Sequence, residues 1–126
     1  MKTNIKPVLS VRNGKAAVEF YKKAFGALEI MRVSSPDGEL VAELTIDGAP
    51  FFLADESPVH GNFSPESVAG NTVRLALSVV DPDTVFSRAL AAGAREIYPV
   101  NDQDYGYRMG RLEDPFGHHW EIGRPL

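Results

Sequence analysis

Arg111-Leu112-Glu113-Asp114-Pro115-Phe116-Gly117-His118-His119-Trp120-Glu121-Ile122 decides the fold. Two runs carrying apolar residues, Tyr107 to Glu113 and His118 to Ile122, flank Asp-Pro-Phe-Gly. Proline there supplies a fixed φ and glycine the positive φ that a tight reversal needs. The stretch reads as a β-hairpin. Side chains alternate across a strand, so His119 and Glu121 share one face while Trp120 and Ile122 share the other. The apolar pair packs inward on a helix layer, leaving an imidazole and a carboxylate on the opposite face, where function is to be sought.

Upstream, Val8 to Val11 reads as a strand ended by Asn13-Gly14, and Ala17, Val18, Tyr21, Ala24 and Phe25 then recur at helical spacing until Gly26 stops the helix. Leu28 to Val33, Leu40 to Ile46 and Pro50 to Ala54 read as strands, the last two joined by the hairpin signal Asp47-Gly48. Residues 56–71 lack a period and form a connector containing His60. After it, Thr72 to Val80 alternates as a strand, and Asp81-Pro82 opens a helix to Ala92 that Gly93 closes. Arg95 to Val100 and the opening hairpin complete the second half. Both halves therefore read β-α-β-β-β.

The halves also match residue by residue. Val8-Leu9-Ser10-Val11 parallels Ala76-Leu77-Ser78-Val79, and Leu44 to Asp55 parallels Leu112 to Gly123. The reading is an α+β chain of one domain: module 1 at about 6–55, connector 56–71, and module 2 at about 72–125. Each module has a small sheet with a helix on its outer face and leaves the other face open, and pairing the two open faces, within the chain or across a dimer, gives curved mixed sheets around a cleft. An open apolar face is too large to leave wet, which predicts a homodimer.

Composition narrows the function classes. The chain has 126 residues, 44% hydrophobic and 24% charged, as soluble globular proteins do. It has no cysteine, which removes disulfides, thiolate metal sites and a cysteine nucleophile. No apolar run is long enough for a membrane span, Met1-Lys2-Thr3-Asn4 opens no secretory pattern, and a cytoplasmic location is expected. The net charge of −4 comes without a basic cluster, so nucleic acid is not an expected partner. No serine-histidine-aspartate spacing or phosphate-cradling glycine loop appears.

A doubled β-α-β-β-β module with Phe20-Tyr21 and Phe25-Gly26 in its first helix and Asp114-Pro115-Phe116-Gly117 followed by Trp120-Glu121-Ile122 in its last hairpin resembles the vicinal oxygen chelate superfamily. That group includes glyoxalase I, extradiol dioxygenases, fosfomycin-resistance enzymes and bleomycin-resistance proteins. The resemblance runs from about Lys6 to Arg124. It implies four repeat-related metal-ligand positions, which register here as Lys6, Leu53, Arg74 and Glu121. Only Glu121 has a lone pair to offer a metal at neutral pH. The expectation is a small-molecule binding protein of the bleomycin-resistance type, without cofactor, taking an apolar or partly cationic ligand in a cleft lined by Lys6, Phe51, Leu53, Arg74, Tyr107, His119 and Glu121. Glu121 is expected to pair with Arg74 or Lys6 in place of a metal. The alternative is a metal-dependent lyase, isomerase or dioxygenase holding a divalent ion through His119 and Glu121, with His60 as a further donor.

Overall fold

The computed structural model describes all residues, 1–126. The first half contains β1 (Val8–Val11), α1 (Gly14–Phe25), β2 (Leu28–Ser34), β3 (Leu40–Ile46) and β4 (Ala49–Asp55). In the connector a single 3-10 turn at Pro58–His60 precedes the short helix α2 (Pro65–Val68). The second half contains β5 (Arg74–Ser78), α3 (Pro82–Ala92), β6 (Arg95–Asp102), β7 (Tyr107–Glu113) and β8 (His119–Pro125). The strands form two four-stranded mixed sheets ordered β1-β4-β3-β2 and β5-β8-β7-β6, so the second repeats the topology of the first. In each, the first strand runs parallel to the last and the remaining pairings are antiparallel.

Local chemistry places the element ends. Asn13 is the N-cap of α1, its side chain accepting from the Ala16 N–H, and Gly26 ends that helix with φ +67°. Asp81 caps α3 in the same way, with Pro82 at its first position. Asp47 and Gly48 both adopt positive φ, as a two-residue hairpin turn requires. The connector is pinned down: the Ser64 N–H and Ser67 hydroxyl donate to Glu56, and the Asn71 amide donates to the Gly117 carbonyl. No helix is long and apolar enough to cross a membrane.

The core is one cluster of 21 buried residues that draws on both halves. Helices α1 and α3 pack against each other, and Arg88 of α3 donates to the Lys23 carbonyl near the end of α1. The Tyr21 ring lies 5.4 Å from Phe51 of the first sheet and 5.6 Å from Trp120 of the second. Phe51 and Trp120 are themselves 5.8 Å apart. The core faces of both sheets thus converge on the helix pair, and the opposite faces are left uncovered. On the first sheet this exposes Val8 at 62%, Val33 at 54% and Val41 at 40%.

One residue corrects the expected strand parity. Phe51 and Leu53 lie in the core rather than in a cleft, while Phe52 is half-buried on the open face. Leu44 pairs with Phe51 across the Asp47-Gly48 turn, whereas the matching Leu112 pairs with Trp120 across a turn one residue longer. That single residue moves Phe52, not Leu53, into correspondence with Glu121 and turns every side chain of β4 over.

The hairpin turn also carries a buried carboxylate. Asp114 accepts from the Tyr21 hydroxyl of α1, from Trp120 Nε1 at 2.9 Å, and from the backbone N–H groups of Phe116 and His118 at 2.9 and 3.0 Å. Burial, followed by the neighbouring Asp114 charge, raises the Tyr21 phenol well above its ordinary value, so it remains the donor. His118 extends the tie, its Nε2 lying 2.9 Å from the Ser10 carbonyl of β1. Replacing Asp114 by asparagine keeps the shape but removes the charge and half the acceptor capacity. Urea unfolding is expected to show a loss of about 2 to 4 kcal/mol with unchanged slope. A loss below about 1 kcal/mol means the carboxylate is not what joins the halves.

Candidate functional site

The open face of the second sheet gathers the polar side chains that the core excludes. Alternation along β8 sends Trp120 and Ile122 inward and His119 and Glu121 to the open face. In register with Glu121 stand Ala76 on β5 and Arg111 on β7, and in register with Arg111 stands Tyr98 on β6. Irregularities in the β6–β7 pairing on both sides of Tyr98 set that last alignment.

Glu121 is the hub. Its Oε1 accepts from Arg74 Nε at 3.3 Å, and its Oε2 accepts from Arg111 Nη2 at 3.1 Å and the Tyr98 hydroxyl at 3.3 Å. The Arg111 guanidinium also lies 5.4 Å from the centre of the Tyr98 ring, a cation–π distance. Burial pushes the Glu121 carboxyl up, but the hydrogen bonds from Arg111 and then Arg74 outweigh it and hold the group below its ordinary value. Burial raises the Tyr98 phenol, keeping it protonated as a donor. Beside this hub, His119 Nε2 is 3.3 Å from Glu113, whose other oxygen takes Arg95 at 2.9 Å.

A pocket of about 380 Å³ opens next to Glu121 on the same face. Ala76, Ser78 and Gly123 contribute its small residues, and Met109, Tyr107 and Tyr105 its bulky ones. A Cβ at Gly123 would stand 2.5 Å from the Arg108 carbonyl oxygen, so the close approach of β7 to β8 requires glycine there.

The first sheet carries a different set at the matching positions. Phe52 stands where Glu121 stands in the second sheet, and Glu43 pairs with Phe52 as Arg111 pairs with Glu121. Lys6 Nζ lies 5.3 Å over the Phe52 ring and 2.9 Å from Glu43. Arg74, Tyr107, His119 and Glu121 are therefore brought onto one face, while Lys6 belongs to the other sheet and Phe51 and Leu53 are core. His60 stays in the connector, bonded to the Ser57 hydroxyl at 2.7 Å. The sequence pattern does not single out Tyr98, Met109 or Arg111 for this face.

The Glyoxalase/Bleomycin resistance protein/Dioxygenase superfamily model matches residues 5–122. The chain belongs to this superfamily. Members bind small molecules and are often dimers. An uncharacterized protein of Mycobacterium bovis, Mb0911c, is 42% identical over 134 aligned residues, spanning 100% of this chain and 88% of its own. The X-ray structure of the At5g48480 gene product of Arabidopsis thaliana superposes with a TM-score of 0.75 at 30% identity, covering 98% of this chain and 100% of that one. TioX from Micromonospora sp. ML1 shares the fold at a TM-score of 0.73 and 24% identity, covering 98% and 97%.

With the structural register, the four superfamily ligand positions that the resemblance implies are Lys6, Phe52, Arg74 and Glu121. These residues do not fit a divalent ion. An ammonium and a guanidinium have no lone pair, a phenyl ring has no donor atom, and the Glu121 oxygens already accept three hydrogen bonds. No three of the chain's histidine, aspartate and glutamate side chains come together in a group able to hold a metal.

A folded-state value below the ordinary one means that the fold favours ionised Glu121. Its contribution to stability is complete above the ordinary glutamate range and is lost as pH falls through the lowered folded value. The stability difference between wild type and Glu121→Gln, followed by urea unfolding from about pH 7 to about pH 3, is expected to shrink toward the acid end. A difference that stays flat or grows there contradicts the assignment.

Proposed function

We propose that this chain is a small-molecule binding protein of the glyoxalase/bleomycin-resistance type that works without the superfamily's metal. The observation that carries this reading is the state of Glu121. It is the one acid among the four repeat-related positions, and its charge is answered by Arg111 and Arg74 rather than left for a cation. A homodimer completes the cleft. The uncovered face of the first sheet, with Val8, Val33, Val41 and Phe52, supplies the apolar cover that the pocket beside Glu121 lacks. Lys6 then joins the cleft from the partner side, together with Phe52 in place of the core residue Leu53. A cytoplasmic setting suits the cysteine-free composition.

The metal-dependent alternative draws on His119 and Glu121 sharing one face. It is less well supported, because His119 is engaged by Glu113 and His60 is held in the connector.

Elemental analysis of protein purified without chelating resin, with thermal shifts on adding Ni²⁺, Zn²⁺, Mn²⁺ or Fe²⁺, separates the readings. Far less than one metal per chain and no stabilisation beyond that of inert salt are expected. Near-stoichiometric metal with a large shift overturns the proposal. Sedimentation velocity is expected to give a dimer at micromolar concentration, and a monomer there removes the shared cleft.

A further inference from the structure

The hydrogen-bond donors around Glu121 outnumber what its carboxylate uses. A guanidinium has five N–H donors in a rigid fork. Arg74 spends only Nε on Glu121, and Arg111 spends only Nη2. Arg111 Nε is buried with no partner at all. Such an orphan is costly but lies out of a ligand's reach; the Arg111 nitrogen that a ligand can meet is Nη1, which donates to nothing in the chain. Two guanidiniums against one carboxylate also leave one positive charge in excess, because the adjacent Arg95 and Glu113 balance each other. The Arg74 side chain is 54% exposed, so its free nitrogens are within reach of a molecule entering the face. Immediately beside this cationic group lies the pocket formed by Ala76, Met109, Tyr105 and Tyr107, which has Glu121 as its one charged wall residue and the two guanidiniums beyond its edge. Tyr105 and Tyr107 remain 62% and 38% exposed, which presents aromatic surface to a bound molecule.

We infer that this site takes a small organic monoanion, a carboxylate on an apolar or aromatic body. The head group accepts from the free N–H groups of Arg74 and Arg111, and the body rests against Met109, Tyr107 and Tyr105. A planar carboxylate matches the guanidinium fork, and one negative charge cancels the one in excess. The partly cationic ligand expected from the sequence is disfavoured by the same excess. The inference rests on the reading that Glu121 is paired with arginine and not with a metal.

Three probes of nearly one shape isolate the head group: phenylacetate, phenylacetamide and 2-phenylethylamine. Each is titrated into the EDTA-treated full chain and followed by backbone amide chemical shifts. Phenylacetate is expected to bind at least about tenfold more tightly than either of the others, with shifts centred on Ala76, Tyr107 and Glu121. Arg74→Gln, at an exposed position, is expected to remove that preference, and Arg74→Lys to restore part of it. Tyr107→Ala weakens all three probes alike. Equal or tighter binding of the amide or the amine overturns the inference, as does an unchanged preference in Arg74→Gln or no binding of any probe at about 10 mM. The underlying reading fails separately. Phenylacetate binding that appears only when a divalent ion replaces EDTA sinks the metal-free site, whereas metal-independent binding of the amine sinks the anion alone.

Discussion

An ionised carboxylate taken out of water has to be answered, and the last hairpin of this chain does so twice in opposite ways. Asp114, inside the core, is answered by neutral donors: a phenol from α1, an indole, and two backbone N–H groups of its own turn. That arrangement ties the first helix to the second sheet and fixes how the two halves meet. Once the helices are committed to each other, the uncovered faces of both sheets are what remains for function. Glu121, on one of those faces, is answered by cations.

The repeat explains why the two open faces differ. A duplicated module starts with equivalent positions, yet here one carries Lys6, Glu43 and Phe52 and the other Arg74, Arg111 and Glu121. Each set is charge-paired within its own sheet. The exposed Arg74–Glu121 pair contributes little to stability, and the more buried Arg111–Glu121 pair contributes more. Their consequence is chemical: the donor atoms that a metal would need are absent or engaged, and the surplus guanidinium N–H groups point the site toward acceptors.

Much of the fold was legible in the sequence because its signals are local. Helical spacing from Ala17 to Phe25, the Asp81-Pro82 start, the Asp47-Gly48 turn and the alternation around Trp120 each depend on neighbouring residues, and the structure keeps all of them. The site was legible only in part because it is built across strands. The pairing of Glu121 with Arg74 follows from the parallel strands of one repeat. Tyr98 reaches Glu121 only because irregular pairing in β6 brings it opposite Arg111. The parity of Phe51 and Leu53 depended on a one-residue difference between two turns, which residue matching at a constant offset passes over. Asp114 looked like ordinary turn chemistry, and its partners on α1 lie far away in sequence.

Function rests on arginine holding Glu121 at a position where the resemblance implies a metal ligand. A double-mutant cycle with Glu121→Gln and Arg111→Met, measured by urea unfolding in EDTA, reads that interaction most directly. The account predicts a favourable coupling of about 1 to 3 kcal/mol, unchanged when equimolar divalent metal replaces EDTA. Coupling near zero in EDTA, or coupling that is lost when metal is supplied, contradicts it.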